Sequence, residues 1–158
     1  MKKLIVLSLI VSTVAFIISC GGDSNSNNTP PAAAENKMED ISSYDPHRGE
    51  GKFTKVVMPA TLNAVKAEAG NKVYGVKCSS CHKTTDERLV GPGWKGVTTR
   101  NSAEWIMNFI TNTDVMIDKD PKVQAQLEIC LVRMPNQSLS DDDARNLYEY
   151  MRKIDGVK

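Results

Sequence analysis

The residues with the most specific chemistry are two cysteines and a histidine at a fixed spacing, Cys78-Ser79-Ser80-Cys81-His82. Two thiols separated by two residues can add to the two vinyl groups of haem, and the adjoining imidazole can then bind the iron. The pattern therefore predicts one covalently attached haem c, with Cys78 and Cys81 as attachment points and His82 as an iron ligand.

Two other uses of a Cys-x-x-Cys pair fit the sequence less well. A thioredoxin-like redox pair follows a strand in a βαβ unit, whereas the residues before Cys78 have a helical pattern. A structural zinc site usually needs four ligands, and Cys130 and His47 do not supply a second closely spaced pair.

The second axial ligand of a haem iron decides between electron transfer and ligand chemistry. Met134 is the favoured candidate because it precedes Pro135 in a predicted loop, whereas a helical methionine is more often a core residue. Met116, which we expect in a loop after the second helix, remains a competitor. His47 would reach the iron only by folding back.

Four helices are predicted to position these residues. Apolar residues recur at steps of three and four over residues 62–77, at Leu62, Val65, Ala69, Val73 and Val76. A second helix is expected over residues 101–112, and a third over residues 121–131, with Pro121 as its first residue.

The last helix has the clearest boundaries. Ser140 and Asp143 have the spacing of a capping box, and Gly156 is a stop position. Its apolar stripe comprises Ala144, Leu147, Met151 and Ile154. Phe53 to Met58 resembles a strand, but no sheet is expected, so the fold class is all-α with about four to five helices.

The N-terminal segment predicts export. Lys2 and Lys3 precede an almost entirely apolar run over residues 4–18, which is shorter than the ~20 residues of a membrane-spanning helix. The run ends in a sequence that resembles the bacterial lipobox, in which Cys20 is acylated. We therefore expect residues 1–19 to be a lipoprotein signal peptide and the mature chain to be membrane-anchored. The alternatives are an ordinary signal peptide with an incidental cysteine and an uncleaved anchor.

Composition divides the rest of the chain into two parts. Residues 20–52 are rich in Gly, Asn, Ser and Pro and predict a flexible tether, whereas residues 53–158 are expected to form the haem-binding domain. The chain has 20 basic and 19 acidic residues, and this near-neutral balance argues against a nucleic-acid partner. The aromatic content is only 6%, which agrees with a core that haem completes.

Residues 62–155 resemble a monohaem class I cytochrome c. Gly70 and Tyr74 stand before the haem motif as the family's small residue and aromatic do, and residues 147–151 resemble the last-helix segment that crosses them. Gly91-Pro92-Gly93-Trp94 resembles the family's turn, whose proline carbonyl accepts a hydrogen bond from the proximal imidazole. The resemblance implies that Pro92 orients His82, and that Trp94 and Trp105 contact haem.

The predicted function is one-electron transfer through low-spin His82/Met134 iron, without an enzymatic activity. Expected partners are a quinol-oxidising complex, a terminal oxidase or a denitrification reductase, met by a monomer on the periplasmic side of a membrane. Two alternatives are a haem subunit docked permanently to a respiratory enzyme, and a haem sensor or enzyme with a labile sixth ligand.

Two features have two possible roles each. Basic residues near the haem motif would form a positive docking rim for an acidic partner or remain a solvated face: Lys72, Lys77, Lys83, Arg88 and Lys95. Cys130 is expected to be a small buried residue, with an intermolecular disulfide as the alternative.

Overall fold

A computed structural model describes residues 43–158, and within that range the chain forms six α-helices and no strands. The helices are α1 (Ala64–Lys77), α2 (Val97–Arg100), α3 (Ala103–Thr111), α4 (Thr113–Lys119), α5 (Pro121–Cys130) and α6 (Asp141–Ile154). The all-α prediction is confirmed, and the short helices α2 and α4 are additions to the four predicted ones.

The first and last helices cross at very short distance, and Gly70 makes the crossing possible. A Cβ atom at this position would lie 2.0 Å from the carbonyl oxygen of Asn146 in α6. The predicted apolar stripe of α1 is therefore partly wrong. Val65 and Val76 are exposed, and the buried residues are the small Ala67 and Gly70.

Helix α6 has the predicted ends and the predicted buried face. Ser140 and Asp143 form the reciprocal capping box, and the helix ends just before Asp155 and Gly156. The predicted apolar stripe faces the core, with Leu147 and Met151 buried. The cap is predictable because it pairs the free N–H groups of the first turn within four residues, and the buried stripe because it follows the 3.6-residue repeat.

A buried ion pair ties α6 to the segment before α1. The Arg152 guanidinium donates to both oxygens of Glu149, at 3.0 and 2.9 Å, and to the carbonyl groups of Pro59 and Ala60, at 2.7 and 3.1 Å. Both side chains are nearly inaccessible to solvent, so each charge depends on the other for compensation.

The middle helices α3, α4 and α5 are separated from one another by single residues. Ser102 caps α3 by accepting a hydrogen bond from the Trp105 N–H, and Asp120 caps α5 by accepting from Val123. Leu131 is the C-terminal cap of α5 and adopts a left-handed conformation with φ 57° and ψ 13°. For a residue with a Cβ atom this conformation costs about 1 kcal/mol.

Residues 44–53 pack against α3 and α4, which differs from the tether predicted up to residue 52. The buried Asn108 side chain accepts from the Phe53 N–H at 2.9 Å and donates to the carbonyls of Arg48 and Phe53, each at 3.0 Å. Asn112 donates to the carbonyl of Glu50. The segment has a linker-like composition, but side chains far away in sequence form hydrogen bonds with its backbone N–H and carbonyl groups.

The predicted signal peptide, Cys20 and the rest of the predicted tether lie outside the described residues. Over residues 43–158, no helix combines the length and apolar character needed to cross a bilayer.

The helix crossing gives a direct test of the packing. We expect Gly70→Ala to destabilise the haem-loaded protein by about 3 kcal/mol, because the added methyl group must push the two backbones apart. Gly75→Ala in the same helix is the matched control. A Cβ atom there meets nothing within 4 Å, so the gain in helix propensity should stabilise the protein by about 0.5–1 kcal/mol.

Denaturant unfolding followed by circular dichroism measures both changes. Equal destabilisation by the two substitutions would contradict a specific contact at Gly70.

Candidate haem site

The two cysteines and the histidine of the motif share one tight turn at the end of α1. Cys78 is the C-terminal cap of the helix, and its carbonyl accepts hydrogen bonds from the N–H groups of Cys81 at 3.1 Å and His82 at 2.9 Å. Cys78 is buried, Cys81 is half-buried, and neither is in a disulfide. Helix α1 thus presents two thiols and an imidazole together.

The His82 imidazole is held in one tautomer by the backbone of the predicted proline. Its Nδ1 lies 2.8 Å from the Pro92 carbonyl oxygen, and because a carbonyl can only accept, Nδ1 donates the proton. The Nε2 atom therefore retains the lone pair that a metal requires. Burial lowers the pKa of His82, while the hydrogen bond to Pro92 opposes this shift.

Gly91 packs against the same ring. A Cβ atom at Gly91 would lie 2.4 Å from Cε1 and 2.9 Å from Nε2 of His82. The residue before the proline must therefore be glycine for the imidazole to keep this position. The sequence singled out the Gly-Pro turn, but it did not indicate this contact.

A cluster of aromatic residues packs against the turn that contains His82. The Tyr74 hydroxyl donates to the His82 carbonyl at 2.7 Å, and its ring lies 4.9 Å from Trp94 and 5.4 Å from Tyr150 between centroids. The Trp94 ring lies 5.7 Å from the imidazole. Tyr74 of α1 thus contacts both the His82 backbone and Tyr150 of α6.

A cavity of about 410 Å³ adjoins the motif and has mainly apolar walls. Cys81, His82, Pro92 and Trp94 line it, together with Trp105 and Met134. The structure therefore gathers at one cavity every predicted site residue of the domain except Cys78. Helices α2 to α6 supply further apolar lining, which includes Val97, Ile106, Phe109, Ile110, Ile117, Val123, Leu127 and Met151.

Cys78 itself lines a smaller neighbouring space of about 210 Å³, which Cys81, His82 and Met134 also border. These three residues are therefore common to both spaces.

The structure separates the methionine candidates by position. Met134 is half-buried in the segment between α5 and α6 and lines the cavity, as does Met151 from within α6. Met116 belongs to α4 and not to the expected loop. It is fully buried beside Gly49, where its sulfur accepts a hydrogen bond from the Glu50 N–H at 3.0 Å. Met116 is thus a core residue outside the cavity lining.

His47 and Cys130 have different surroundings. His47 lies in the packed N-terminal segment, its carbonyl accepts from the Ser102 hydroxyl, and it does not line the cavity. Cys130 lines the cavity at the end of α5. Full burial was expected, but the Cys130 side chain is half-buried, because the helix ends there and the next residue, Leu131, is exposed to solvent.

One polar arrangement at the cavity wall was missed by the sequence analysis. The Trp105 indole N–H donates to the buried Asp120 carboxylate at 2.6 Å, and the Tyr44 hydroxyl donates to the same oxygen. Burial raises the pKa of Tyr44, which keeps its proton in place. Asp120 directly precedes Pro121, the predicted first residue of the third helix, but no local signal pairs it with Trp105 or with Tyr44.

Haem c fits this set of residues. Two unpaired cysteines, an imidazole with a free Nε2 and an apolar cavity are the features that covalent attachment, iron binding and burial of a porphyrin require. Burial raises the pKa of the Cys78 thiol to about 11. The alternative of a structural zinc site finds no support, since no group of three or more His, Cys, Asp or Glu residues within residues 43–158 is arranged for a metal ion.

Comparison with known proteins agrees with this assignment. The family model described as cytochrome c matches residues 67–155. A solved cytochrome c from Rhodothermus marinus is 30% identical, with a TM-score of 0.64 and coverage of 66% of this chain and 90% of that chain. An engineered cytochrome c from the same organism, Rma TDE, has 28% identity, the same TM-score and the same coverage. No curated protein matches the chain.

The contact between Gly91 and the imidazole predicts a spectroscopic change. We expect Gly91→Ala to displace the His82 ring, weaken its bond to iron and raise the high-spin fraction in the ferric absorption spectrum. Pro92→Ala is the matched control because it keeps the backbone carbonyl that accepts the hydrogen bond. A Gly91→Ala protein whose ferric spectrum matches that of the unsubstituted protein would contradict the role assigned to this glycine.

Proposed function

Because the chain belongs to the cytochrome c family, whose members transfer electrons through covalently attached haem, we propose that it is a one-electron carrier with His82 and Met134 as axial ligands. One observation carries the proposal: the Pro92 carbonyl fixes the His82 imidazole at a cavity that Met134 also lines. When bound, the haem supplies an iron centre that accepts and releases one electron.

The protein residues contribute position and environment to this chemistry. Hydrogen bonding of Nδ1 to Pro92 fixes the tautomer of His82 and raises the basicity of Nε2. Tyr74 and Trp94 pack around the turn that carries the imidazole, so the ring has little freedom to rotate. A ligand held in this way has nearly the same geometry in both oxidation states, which favours fast electron transfer.

Met134 is the proposed sixth ligand because of its place in the chain. It lies outside the helices, next to Pro135, and borders both of the spaces that His82 borders. Met151 lines only the larger cavity and is fixed within α6 by the crossing with α1. A thioether favours ferrous iron, and two retained ligands leave no open position for a substrate.

The cellular setting is a further part of the proposal. Export and acylation at Cys20 would attach the domain to a membrane while residues 21–42 give it reach. The proposed partners are then membrane respiratory proteins in the periplasm: a quinol-oxidising complex as donor, and a terminal oxidase or a denitrification reductase as acceptor. The family match and the haem motif support electron transfer as such, and the N-terminal sequence supports the location.

Two leucine substitutions test the proposed ligand. We expect Met134→Leu to abolish the sulfur-to-iron charge-transfer band of the ferric protein and to let the ferrous protein bind carbon monoxide, because leucine cannot ligate iron. Met151→Leu, at a second methionine that lines the same cavity, should leave both properties unchanged. Loss of the band in Met151→Leu and not in Met134→Leu would contradict the assignment.

A third substitution tests the anchor. We expect Cys20→Ser to remove palmitate incorporation and to move the haem protein from the membrane fraction to the soluble fraction, since acyl chains provide the membrane affinity. Cys130→Ser, which removes the other cysteine outside the haem motif, should remain in the membrane fraction. Retention of Cys20→Ser in alkali-washed membranes would contradict acylation as the means of attachment.

A further inference from the structure

Asp120 places a buried carboxylate directly behind the wall of the cavity that His82 and Met134 line. The residue is only 1% exposed. The Trp105 indole N–H and the Tyr44 hydroxyl donate to its Oδ2 atom, and the Val123 N–H donates to Oδ1 at 2.9 Å. Trp105 and Val123 themselves line the cavity, so two of these three donors connect the carboxylate to the cavity wall.

The hydrogen-bond partners of Asp120 fit an ionised side chain. An indole N–H and a backbone N–H can only donate, so each carboxylate oxygen accepts from a group that cannot itself accept. Such bonds to a charged acceptor are stronger than bonds between neutral groups. The three donors are electrically neutral, and they therefore stabilise the negative charge without cancelling it.

A cation near Trp105 is much more accessible to water than Asp120. The Lys122 Nζ atom lies 5.7 Å from the centroid of the Trp105 ring, and this residue also lines the cavity, but it is exposed. Solvent screens an exposed charge, whereas a buried charge acts through surroundings of low dielectric constant. Of these two charges, Asp120 therefore acts more strongly on the cavity.

We propose that the Asp120 carboxylate, held against Trp105, lowers the reduction potential of the haem. The inference rests on the proposed one-electron function. Reduction adds one electron, and hence one negative charge, to the bound haem, and a fixed negative charge behind the cavity wall opposes this addition. Across one aromatic side chain, at an effective dielectric constant of about 20, such a charge changes the equilibrium constant for reduction about tenfold.

A spectroelectrochemical titration of the haem-loaded full chain at neutral pH tests the proposal. We expect Asp120→Asn to raise the potential by about 59 mV, which corresponds to a tenfold change in the equilibrium constant for one electron. Asparagine is also a good N-terminal cap, so the start of α5 is retained. An unchanged or lower potential would overturn the proposal.

Two matched variants separate the charge from its surroundings. Tyr44→Phe removes one donor and keeps the carboxylate, so we expect a potential at or below that of the unsubstituted protein. Glu128→Gln removes an exposed carboxylate of the same helix that does not line the cavity, and its shift should be much smaller. A rise in Tyr44→Phe equal to that in Asp120→Asn would assign the effect to lost hydrogen bonds, and an equal rise in Glu128→Gln would assign it to net charge. Either result overturns the proposal.

Infrared difference spectra test the same contact without changing Asp120. The haem-loaded protein is prepared with isotope-labelled aspartate, and spectra of the ferric and ferrous forms are subtracted. We expect an aspartate carboxylate band that changes with the oxidation state and is altered in Tyr44→Phe. The absence of such a band, or identical bands in the two proteins, would overturn the proposal even where Asp120→Asn does not fold.

The proposed ligation has a separate readout in these experiments, the sulfur-to-iron charge-transfer band of the ferric protein. If the band is present in every variant and the potential does not move, only the role of Asp120 is wrong. Absence of the band from the unsubstituted protein would instead contradict ligation by Met134.

Discussion

The close approach of α1 and α6 at Gly70 is the constraint on which the rest of the structure depends. Helix α1 ends directly at Cys78, so the angle at which it crosses α6 determines where the two thiols and His82 are placed. The same crossing brings Tyr74 and Tyr150 together behind the haem motif. A glycine that weakens α1 as an isolated helix thus stabilises the pairing that positions the site.

The structure combines an apolar cavity with buried polar side chains that all form hydrogen bonds. Within residues 43–158, no buried side-chain nitrogen or oxygen lacks a hydrogen-bond partner. Glu149 is paired with Arg152, and Asp120 accepts from Trp105 and Tyr44. The Asp120 contacts hold Trp105, which lines the cavity, and the Arg152 contacts hold the segment before α1. A redox centre benefits from such rigidity because little of its surroundings must rearrange when the charge on the iron changes.

The sequence predicted the parts of this structure that depend on local spacing. The haem motif, the capping box at Ser140 and the turn containing Pro92 each lie within a few residues, and all three have the expected form. The errors have a long-range cause. Apolar spacing placed Val65 and Val76 on the buried face of α1 because the close crossing, which selects small residues, is set by α6. Residues 44–52 resembled a linker because their partners, such as Asn108, lie more than fifty residues away.

The central claim is that His82 and Met134 hold the iron in both oxidation states. X-ray absorption at the iron edge of the haem-loaded protein, recorded for the ferric and the ferrous form, tests it most directly. The account predicts one sulfur neighbour and otherwise nitrogen neighbours in both forms, with nearly equal distances. A sulfur neighbour that is missing from either form, or a five-coordinate ferrous iron, would contradict it.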